Sequence, residues 1–230
     1  MSENEDTREA PEVPDGAILQ RDGETYAIVP RLPLGLLSPE VLEAVAAVAR
    51  RYKVPVIKIT SGQRLALVGI QHRDLDAIWR DLSLDVGRAT ELCVHYVQAC
   101  PGTDVCSLGV QDSLGLGRRL EELFVGLDSP AKVKIGVSGC TLCCAESLVR
   151  DVGLIASKKG WKLVFGGSSS RRPRVADEIA RRLDADRAVA LVRRCLEVYR
   201  DNAKPKERTA KFMDRFGAEA FRQAVLGEDG

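Results

Sequence analysis

Strand-like and helix-like hydrophobic spacing alternate through the first hundred residues. Runs rich in β-branched and apolar residues predict strands, and apolar side chains at helical intervals predict helices. The first helix has a clear start signal, because Ser38 can cap it and Pro39 suits its first turn. The predicted strands are 24–32, 54–59, 65–70 and 91–97, and the predicted helices are 39–52 and 72–82. This order predicts a ferredoxin-like βαββαβ half.

The rest of the chain predicts a second half of mixed helices and strands. Its predicted strands are 133–137, 152–156 and 161–165, the last two joined as a hairpin, and its predicted helices are 111–123, 144–150, 176–183, 188–201 and 218–226. The predicted fold class is therefore α+β, a ferredoxin-like half followed by an α/β half. The predicted domains are 17–98 and 99–230, after a disordered lead over 1–16.

Composition and charge narrow the classes of function. The chain has 230 residues, 45% of them hydrophobic, which is enough for a globular core. A net charge of +1 gives no overall field that would attract nucleic acid or an anionic membrane. The apolar runs are too short to span a bilayer, and the acidic, polar start does not resemble an export signal. We therefore expect a soluble, cytoplasmic protein with neither nucleic acid nor membrane as a partner.

Five of the seven cysteines fall into two tight groups. In a reducing compartment, such clustering favours metal ligands over disulfides. Four thiolates that converge from two chain segments suit a [4Fe–4S] cluster. The groups are Cys100 with Cys106, and Cys140 with Cys143 and Cys144, while Cys93 and Cys195 stand apart in apolar segments and are interpreted as core residues.

The second cysteine group leaves two points open. Cys140 follows Ser138–Gly139, which predicts a turn into a helix N-terminus, where free amides and the helix dipole favour thiolates. On a helix, Cys143 would point about 100° away from Cys144. It is interpreted as a packing residue, although the spacing from Cys140 keeps it open as a ligand. A structural zinc site is the alternative, which the five-residue spacing of the first group disfavours.

The segments around these cysteines resemble the siroheme-dependent nitrite and sulfite reductases, in their single-repeat, low-molecular-weight assimilatory-type form. The matching segments are ACPG at 99–102, VSGC at 137–140, AESLVRDVGL at 145–154, RLP at 31–33 and ITSGQR at 59–64. The resemblance covers about residues 17–200, and the spacing of the cysteines is its most specific part. It implies a six-electron reduction of sulfite to sulfide or of nitrite to ammonia.

The resemblance also implies cofactors and site residues. It implies a [4Fe–4S] cluster and siroheme, with Cys144 binding both the cluster and the siroheme iron. Lys132 and Lys134, two apart on a predicted strand, would project from one face and match the family's lysine pair. The implied cluster ligands are Cys100, Cys106, Cys140 and Cys144, the implied catalytic residues are Lys132, Lys134 and Arg64, and the implied cofactor-binding residues are Cys144, Arg31, Thr60, Gln63, Arg64 and Arg150.

The same resemblance bears on partners. Larger members of the family build one pocket from two repeats, so the pocket of a single repeat would be open or completed by another chain, for example in a homodimer. No Gly-rich dinucleotide fingerprint follows a predicted strand, so the resemblance implies a ferredoxin- or flavodoxin-like electron donor. The alternative function is electron transfer by an iron–sulfur protein or subunit that carries the cluster without siroheme.

Overall fold

The computed structural model describes residues 13–86 and 91–227, which divide into two compact units. The first unit takes its described residues from the ranges up to 31, 38–59 and 65–86, and the second from 32–37, 60–64 and 91–227. Most of the predicted disordered lead, 1–16, lies outside the described residues. Within the described ranges, no helix is both long and apolar enough to cross a membrane.

The first unit is an antiparallel sheet with two helices among its described residues. The N-cap prediction is confirmed, since the Ser38 side chain accepts a hydrogen bond from the backbone N–H of Val41. Apolar side chains of both helices and of the central strands form one buried core. The strands are β1 (Ala17–Leu19), β2 (Thr25–Ile28), β3 (Val56–Ile59) and β4 (Leu65–Gln71) in the order β1-β2-β4-β3, and the helices are α1 (Pro39–Arg51) and α2 (Leu75–Leu82).

The strand that completes this sheet is not the predicted one. Residues 91–97 were expected at its edge, but the edge beside β2 is occupied by β1, which the hydrophobic pattern did not indicate. The β1–β2 hairpin forms through a short turn in which Gly23 has a φ of +74°, a conformation open to glycine. The predicted closing strand instead begins the sheet of the second unit as β5 (Val94–Ala99), where it pairs in parallel.

The second unit is a mixed sheet with helices packed on one face. β5, β6 and β7 run parallel, and β7, β8 and β9 run antiparallel. The core on the helical face includes the buried rings of Phe124, Phe165, Tyr199, Phe212 and Phe221. The further elements are β6 (Val133–Ser138), β7 (Val152–Ser157), β8 (Gly160–Phe165), β9 (Asp177–Leu183), α3 (Ser113–Phe124), α4 (Ala185–Asn202), α5 (Thr209–Phe216) and α6 (Ala218–Leu226).

Two helix predictions in the second unit are wrong. The predicted helix 176–183 is strand β9 over Asp177–Leu183. The buried side chains of Ile179 and Leu183, four apart, fit a strand as well as a helix, and pairing with β8 decides between them. Residues 144–150 contain only a short 3₁₀ turn at Ser147–Val149. The positive φ angles of Cys143 (59°) and Glu146 (54°) interrupt any continuous helix there.

Candidate cofactor and anion site

Two cysteine segments meet at one edge of the second sheet. β5 and β6 are parallel, with Ala99 opposite Val137, so the segments that follow them leave at the same edge. The backbone N–H of Cys100 donates to the carbonyl of Val137 at 3.1 Å. The backbone N–H of Gly139 donates in turn to the sulfur of Cys100 at 3.1 Å. This contact holds the Cys100 sulfur against the backbone of the second cysteine segment.

Glycines allow the two segments to lie in backbone contact. The carbonyl of Gly139 accepts from the backbone N–H of Val110 at 2.8 Å. A Cβ on Gly139 would lie 2.7 Å from the Cα of Gly102, and one on Gly109 would lie 2.5 Å from the carbonyl carbon of Gly102. Gly102 itself has a φ of +56° and its added Cβ would approach the Ser113 hydroxyl to 2.2 Å. A side chain at Gly139 would therefore push the two segments apart, and one at Gly102 or Gly109 would disturb the folding of the first segment on itself.

Substitution of Gly102 by alanine is expected to loosen this packing. The added methyl group has no room, so we expect a loss of about 1–3 kcal/mol in stability from overpacking. Iron bound per chain should fall with it. Gly23→Ala is the matched control, because Gly23 also has a positive φ but nothing lies within 4 Å of its added Cβ. Thermal unfolding and iron content measure both effects, and equal losses in the two variants would contradict the packing argument.

The cysteines of the second group lie in turns, and the predicted helix N-terminus at Cys140 is wrong. The Cys143 N–H donates to the Cys140 carbonyl at 3.3 Å, and Cys143 is in the left-handed region. Cys143 packs against a small buried cluster that includes Ile155, whereas Cys144 is exposed. Among the described residues, no three His, Cys, Asp or Glu side chains lie close enough to hold one metal ion. A cubane cluster attaches its ligands to separate irons and needs a wider spacing.

The face of the second sheet that lies opposite the helices carries polar side chains. It is covered by the loop between β6 and β7, residues 139–151, called the covering loop below. Tyr96 and Gln98 alternate with core residues on β5, as Lys134 does on β6. Gly136 permits the covering loop to lie close to the sheet, since an added Cβ would be 2.8 Å from the carbonyl oxygen of Ala145. The loop is fastened by its own hydrogen bonds to β6, and it brings Arg150 over the polar residues.

Arg150 is a buried cation in this face. Its side chain is only 3% exposed. Its guanidinium donates to Gln98 at 2.7 Å, to Glu146 at 2.6 Å and to the Tyr96 hydroxyl at 3.4 Å. Glu146 is itself half exposed and offers a weak counter-charge. These contacts fix the Arg150 guanidinium in position and leave its Nε without a protein partner.

Arg64 reaches the same face from a tight turn that belongs to the second unit. The Thr60 hydroxyl accepts from the backbone N–H of Arg64 at 3.2 Å, and Gln63 takes a φ of 57° to close the turn. The Arg64 guanidinium lies 5.4 Å from the centre of the Tyr96 ring, and its Nη2 lies 3.1 Å from Nε2 of His95. The turn thus places a buried second cation beside Tyr96.

Lysines and a third arginine add to the charge. Burial lowers the pKa of both Lys132 and Lys134, and the nearby cation of Arg208 lowers each further. Asp151 holds Arg208 at 3.0 Å and accepts the backbone N–H of Lys134 at 2.9 Å. The single buried carboxylate of Asp151 therefore positions both Arg208 and the Lys134 backbone, while the cations around it outnumber it.

Several buried polar atoms in this group have no protein partner. Within the described residues they are the Nε atoms of Arg64 and Arg150, Nδ1 of His95 and Oε1 of Gln63. Buried polar groups are nearly always hydrogen-bonded, and each exception calls for an explanation. Two guanidinium donors left unpaired among like charges indicate a site shaped for an anionic ligand.

The structure brings together four of the predicted basic residues, and it adds two that the sequence analysis left out. Lys132, Lys134, Arg64 and Arg150 all lie around Tyr96 and His95. Arg31 belongs to the first unit, where its guanidinium lies 3.7 Å from Asp85. The additions are His95 and Arg208, with Tyr96 and Gln98 as their polar neighbours. The alternation of Tyr96, Gln98 and Cys100 on one strand face was the available signal.

His95 is expected to stay neutral under ordinary conditions. Burial, with the charges of Arg64, Lys132 and Lys134, lowers its pKa from 6.5 to about 4. Because the folded chain binds this proton less readily than the unfolded chain, the stabilisation is complete above pH 6.5 and is lost as the pH falls toward 4. The wild type should therefore lose more stability over this range than His95→Gln. His72→Gln is the control, and parallel losses in all three would contradict the shift.

Family models match both units of the chain. Residues 18–84 match the nitrite/sulfite reductase ferredoxin-like half domain. Residues 91–229 match the nitrite and sulphite reductase 4Fe-4S domain. The predicted ferredoxin-like half is confirmed by the first match, although one of its strands was assigned wrongly. The predicted α+β class is confirmed as well.

Individual relatives agree with these matches. An assimilatory-type sulfite reductase of Nitratidesulfovibrio vulgaris is 60% identical over 93% of this chain and 98% of its own length. The nitrite reductase (NADH) large subunit of Escherichia coli is 39% identical, and the match spans 93% of this chain but 25% of that protein.

Solved structures share the fold at low sequence identity. The Mycobacterium tuberculosis NirA protein superposes with a TM-score of 0.77 at 19% identity, over 87% of this chain and 39% of that one. A dissimilatory sulfite reductase I superposes with the same TM-score at 13% identity, over 87% and 69%. With family models matched over both units and a close relative matched over nearly its full length, the chain belongs to the nitrite and sulfite reductase family.

Proposed function

We propose that the protein catalyses the six-electron reduction of sulfite to sulfide, or of nitrite to ammonia, with a [4Fe–4S] cluster and siroheme as its cofactors. The observation that carries this proposal is a pair of buried cations, Arg64 and Arg150, each with an unpaired Nε. They lie on the sheet face beside β5, the strand that Cys100 directly follows. Sulfite is the first candidate substrate, because the relative at 60% identity is named a sulfite reductase. Nitrite is the second, because relatives at 39% identity are named nitrite reductases.

We propose Cys100, Cys106, Cys140 and Cys144 as the ligands of the cluster. Cys100 follows β5 directly, and Cys140 lies two residues after β6, so both segments begin at one sheet edge. The hydrogen bond from the Gly139 N–H to the Cys100 sulfur fits this role, since such bonds stabilise thiolates and tune the potential of a cluster. All four are free cysteines in the described structure, two of them half-buried and two exposed.

The basic residues fit the second cofactor. Siroheme carries eight carboxylates, and Arg64 and Arg150 each have an unpaired Nε that could donate to one. Thr60 and Gln63 hold the turn that presents Arg64. Arg31, which the family resemblance implies, is kept as a further proposed carboxylate ligand. Bound siroheme would supply the iron at which the oxyanion is reduced, with Cys144 as its proposed protein ligand.

We propose that Lys132, Lys134 and Arg64 bind the oxyanion substrate. Sulfite takes up six electrons and eight protons to give hydrogen sulfide and three waters, so its oxygens must be held and protonated. Lys132, Lys134 and Arg64 can donate charge-assisted hydrogen bonds to those oxygens. Burial lowers the pKa of Lys134, which makes its ammonium a better proton donor to a departing oxygen. His95 is neutral nearby and adds a hydrogen-bonding group without further repulsion.

We propose a ferredoxin- or flavodoxin-like protein as the electron donor. The relatives named for NAD(P)H are about four times longer than the part that matches this chain. We propose that a separate carrier protein supplies to this chain the electrons that the additional sequence of those relatives could take from NAD(P)H. We also propose that the activity is cytoplasmic, because clustered cysteines that are free of disulfides suit a reducing compartment.

Turnover with an artificial donor tests the function directly. Anaerobically purified protein, reduced by dithionite through methyl viologen, should convert sulfite to sulfide, with ammonium from nitrite measured in parallel. Sulfide or ammonium formed in catalytic amounts would support the proposal. A protein that accepts electrons but forms neither product would favour the alternative, electron transfer through the cluster alone.

A further inference from the structure

A groove of about 330 Å³ lies in the second unit, beside the second cysteine segment. Its lining includes Ile155, a buried apolar side chain of β7 that belongs to the small cluster on the sheet face opposite the helices. One end is lined by Thr141, the residue that follows Cys140. The next residue, Leu142, is 65% exposed. The groove therefore borders on the segment that carries a proposed cluster ligand, and apolar side chains lie on both sides of that border.

The groove opens at the same sheet edge as the cysteine segments. β6 and β7 are parallel, with Ser138 opposite Ile155, so Cys140 and the β7–β8 turn both follow strands that end at this edge. Gln111 ties the two together. Its backbone N–H donates to the Gly139 carbonyl at 3.3 Å, and its side-chain amide donates to the Ser157 carbonyl at 3.2 Å. A molecule bound in the groove would therefore lie next to the hydrogen bonds that hold the Cys140 segment in place.

The rim of the groove is strongly basic although the chain is almost neutral. Glu178 is the single carboxylate of the lining among the described residues, and it already bonds Arg181. Cationic side chains therefore dominate, and most of them are exposed. The lining cations are Lys159, Lys162, Arg181 and Arg182. A rim of this charge would attract an acidic partner, because complementary charges steer and orient protein partners as they meet.

We propose that this groove is the docking surface for an acidic electron-carrier protein. The inference rests on the proposed function and specifies where its electron donor binds. Each docking event would pass one electron and leave the carrier oxidised by one electron, so six encounters would supply one reduction of sulfite. Electrostatic attraction makes such repeated encounters fast, and a modest interface lets each carrier leave.

Direct binding to the cofactor-loaded protein tests the site without relying on activity. The probe is an acidic plant-type [2Fe–2S] ferredoxin, titrated by calorimetry at low ionic strength. Lys159→Glu with Lys162→Glu should weaken binding by about tenfold or more, since the rim charges steer and hold the partner. Lys211→Glu with Arg222→Glu, two exposed residues on α5 and α6, makes the same change in net charge and should bind like wild type.

Cross-linking of the wild type gives a second reading that needs no variant to fold. Zero-length coupling should join Lys159 or Lys162 to ferredoxin carboxylates. Links confined to other lysines, equal weakening in both double variants, or no binding at low ionic strength would each overturn the docking site. The methyl viologen assay separates this from the proposed function. A failed docking site leaves viologen-driven sulfite reduction intact, whereas a failed function abolishes it with the groove unchanged.

Discussion

Replacing Cys144 with serine is expected to remove siroheme from the protein, damage the cluster and abolish sulfite reduction. Cys144 is the residue proposed to bind both cofactors, so one substitution should affect both. Mutation of a residue that only hydrogen-bonds to a metal ligand typically lowers metal affinity or activity by about 10–100-fold. Loss of the ligand itself should exceed that range. Iron content, the siroheme absorption bands and viologen-driven turnover measure the three effects.

Cys143→Ser is the matched control for this prediction. Cys143 is the immediate neighbour of Cys144, but its side chain packs against the small hydrophobic group around Ile155, and its backbone has a φ of 59°. Its replacement should leave both cofactors in place and cost little activity. A Cys143→Ser protein that loses its cluster while Cys144→Ser keeps it would show that the ligand assignment is wrong.

Replacing Lys134 with methionine is expected to impair turnover while both cofactors stay bound. Lys134 lies over the Tyr96 ring, with Nζ 5.8 Å from its centre, and has lost part of its solvation through burial. A hydrogen bond from a charged group contributes about 1.5–3 kcal/mol, which corresponds to a decrease of roughly 10- to 150-fold in kcat/KM. Steady-state reduction of sulfite with methyl viologen measures it.

Lys211→Met is the matched control, because Lys211 is an exposed lysine on α5. It should retain wild-type turnover. Unchanged kcat/KM in Lys134→Met would exclude a direct role of this lysine with the substrate. Loss of siroheme bands in Lys134→Met would instead assign the lysine to cofactor binding.

The parts of the fold that local patterns determine were predictable. The cap at Ser38, the hairpin β7–β8 and the amphipathic helix α4 follow from short-range signals. Pairing over longer distances was not predictable. The four-residue spacing of Ile179 and Leu183 fits both helix and strand, and only the partner β8 decides. The sheet that residues 91–97 join depends on a parallel pairing with β6, some forty residues later.

The site was predictable to a similar degree. Resemblance indicated the four cysteines, the lysine pair and the three arginines Arg31, Arg64 and Arg150, and their roles stay predictions. His95 was left out, because a lone histidine carries no spacing signal. Arg208 lies far along the chain, and its ion pair with Asp151 holds it at the site. The left-handed conformation at Cys143 also could not be read from its sequence.

An absorption spectrum of the anaerobically purified protein, paired with iron and acid-labile sulfide analysis, shows whether siroheme and the cluster are both present. We expect a Soret band and longer-wavelength siroheme bands, with iron exceeding sulfide by one atom per chain. A broad iron–sulfur absorption without those bands, with iron and sulfide equal, would contradict a siroheme reductase and leave an electron-transfer protein in its place.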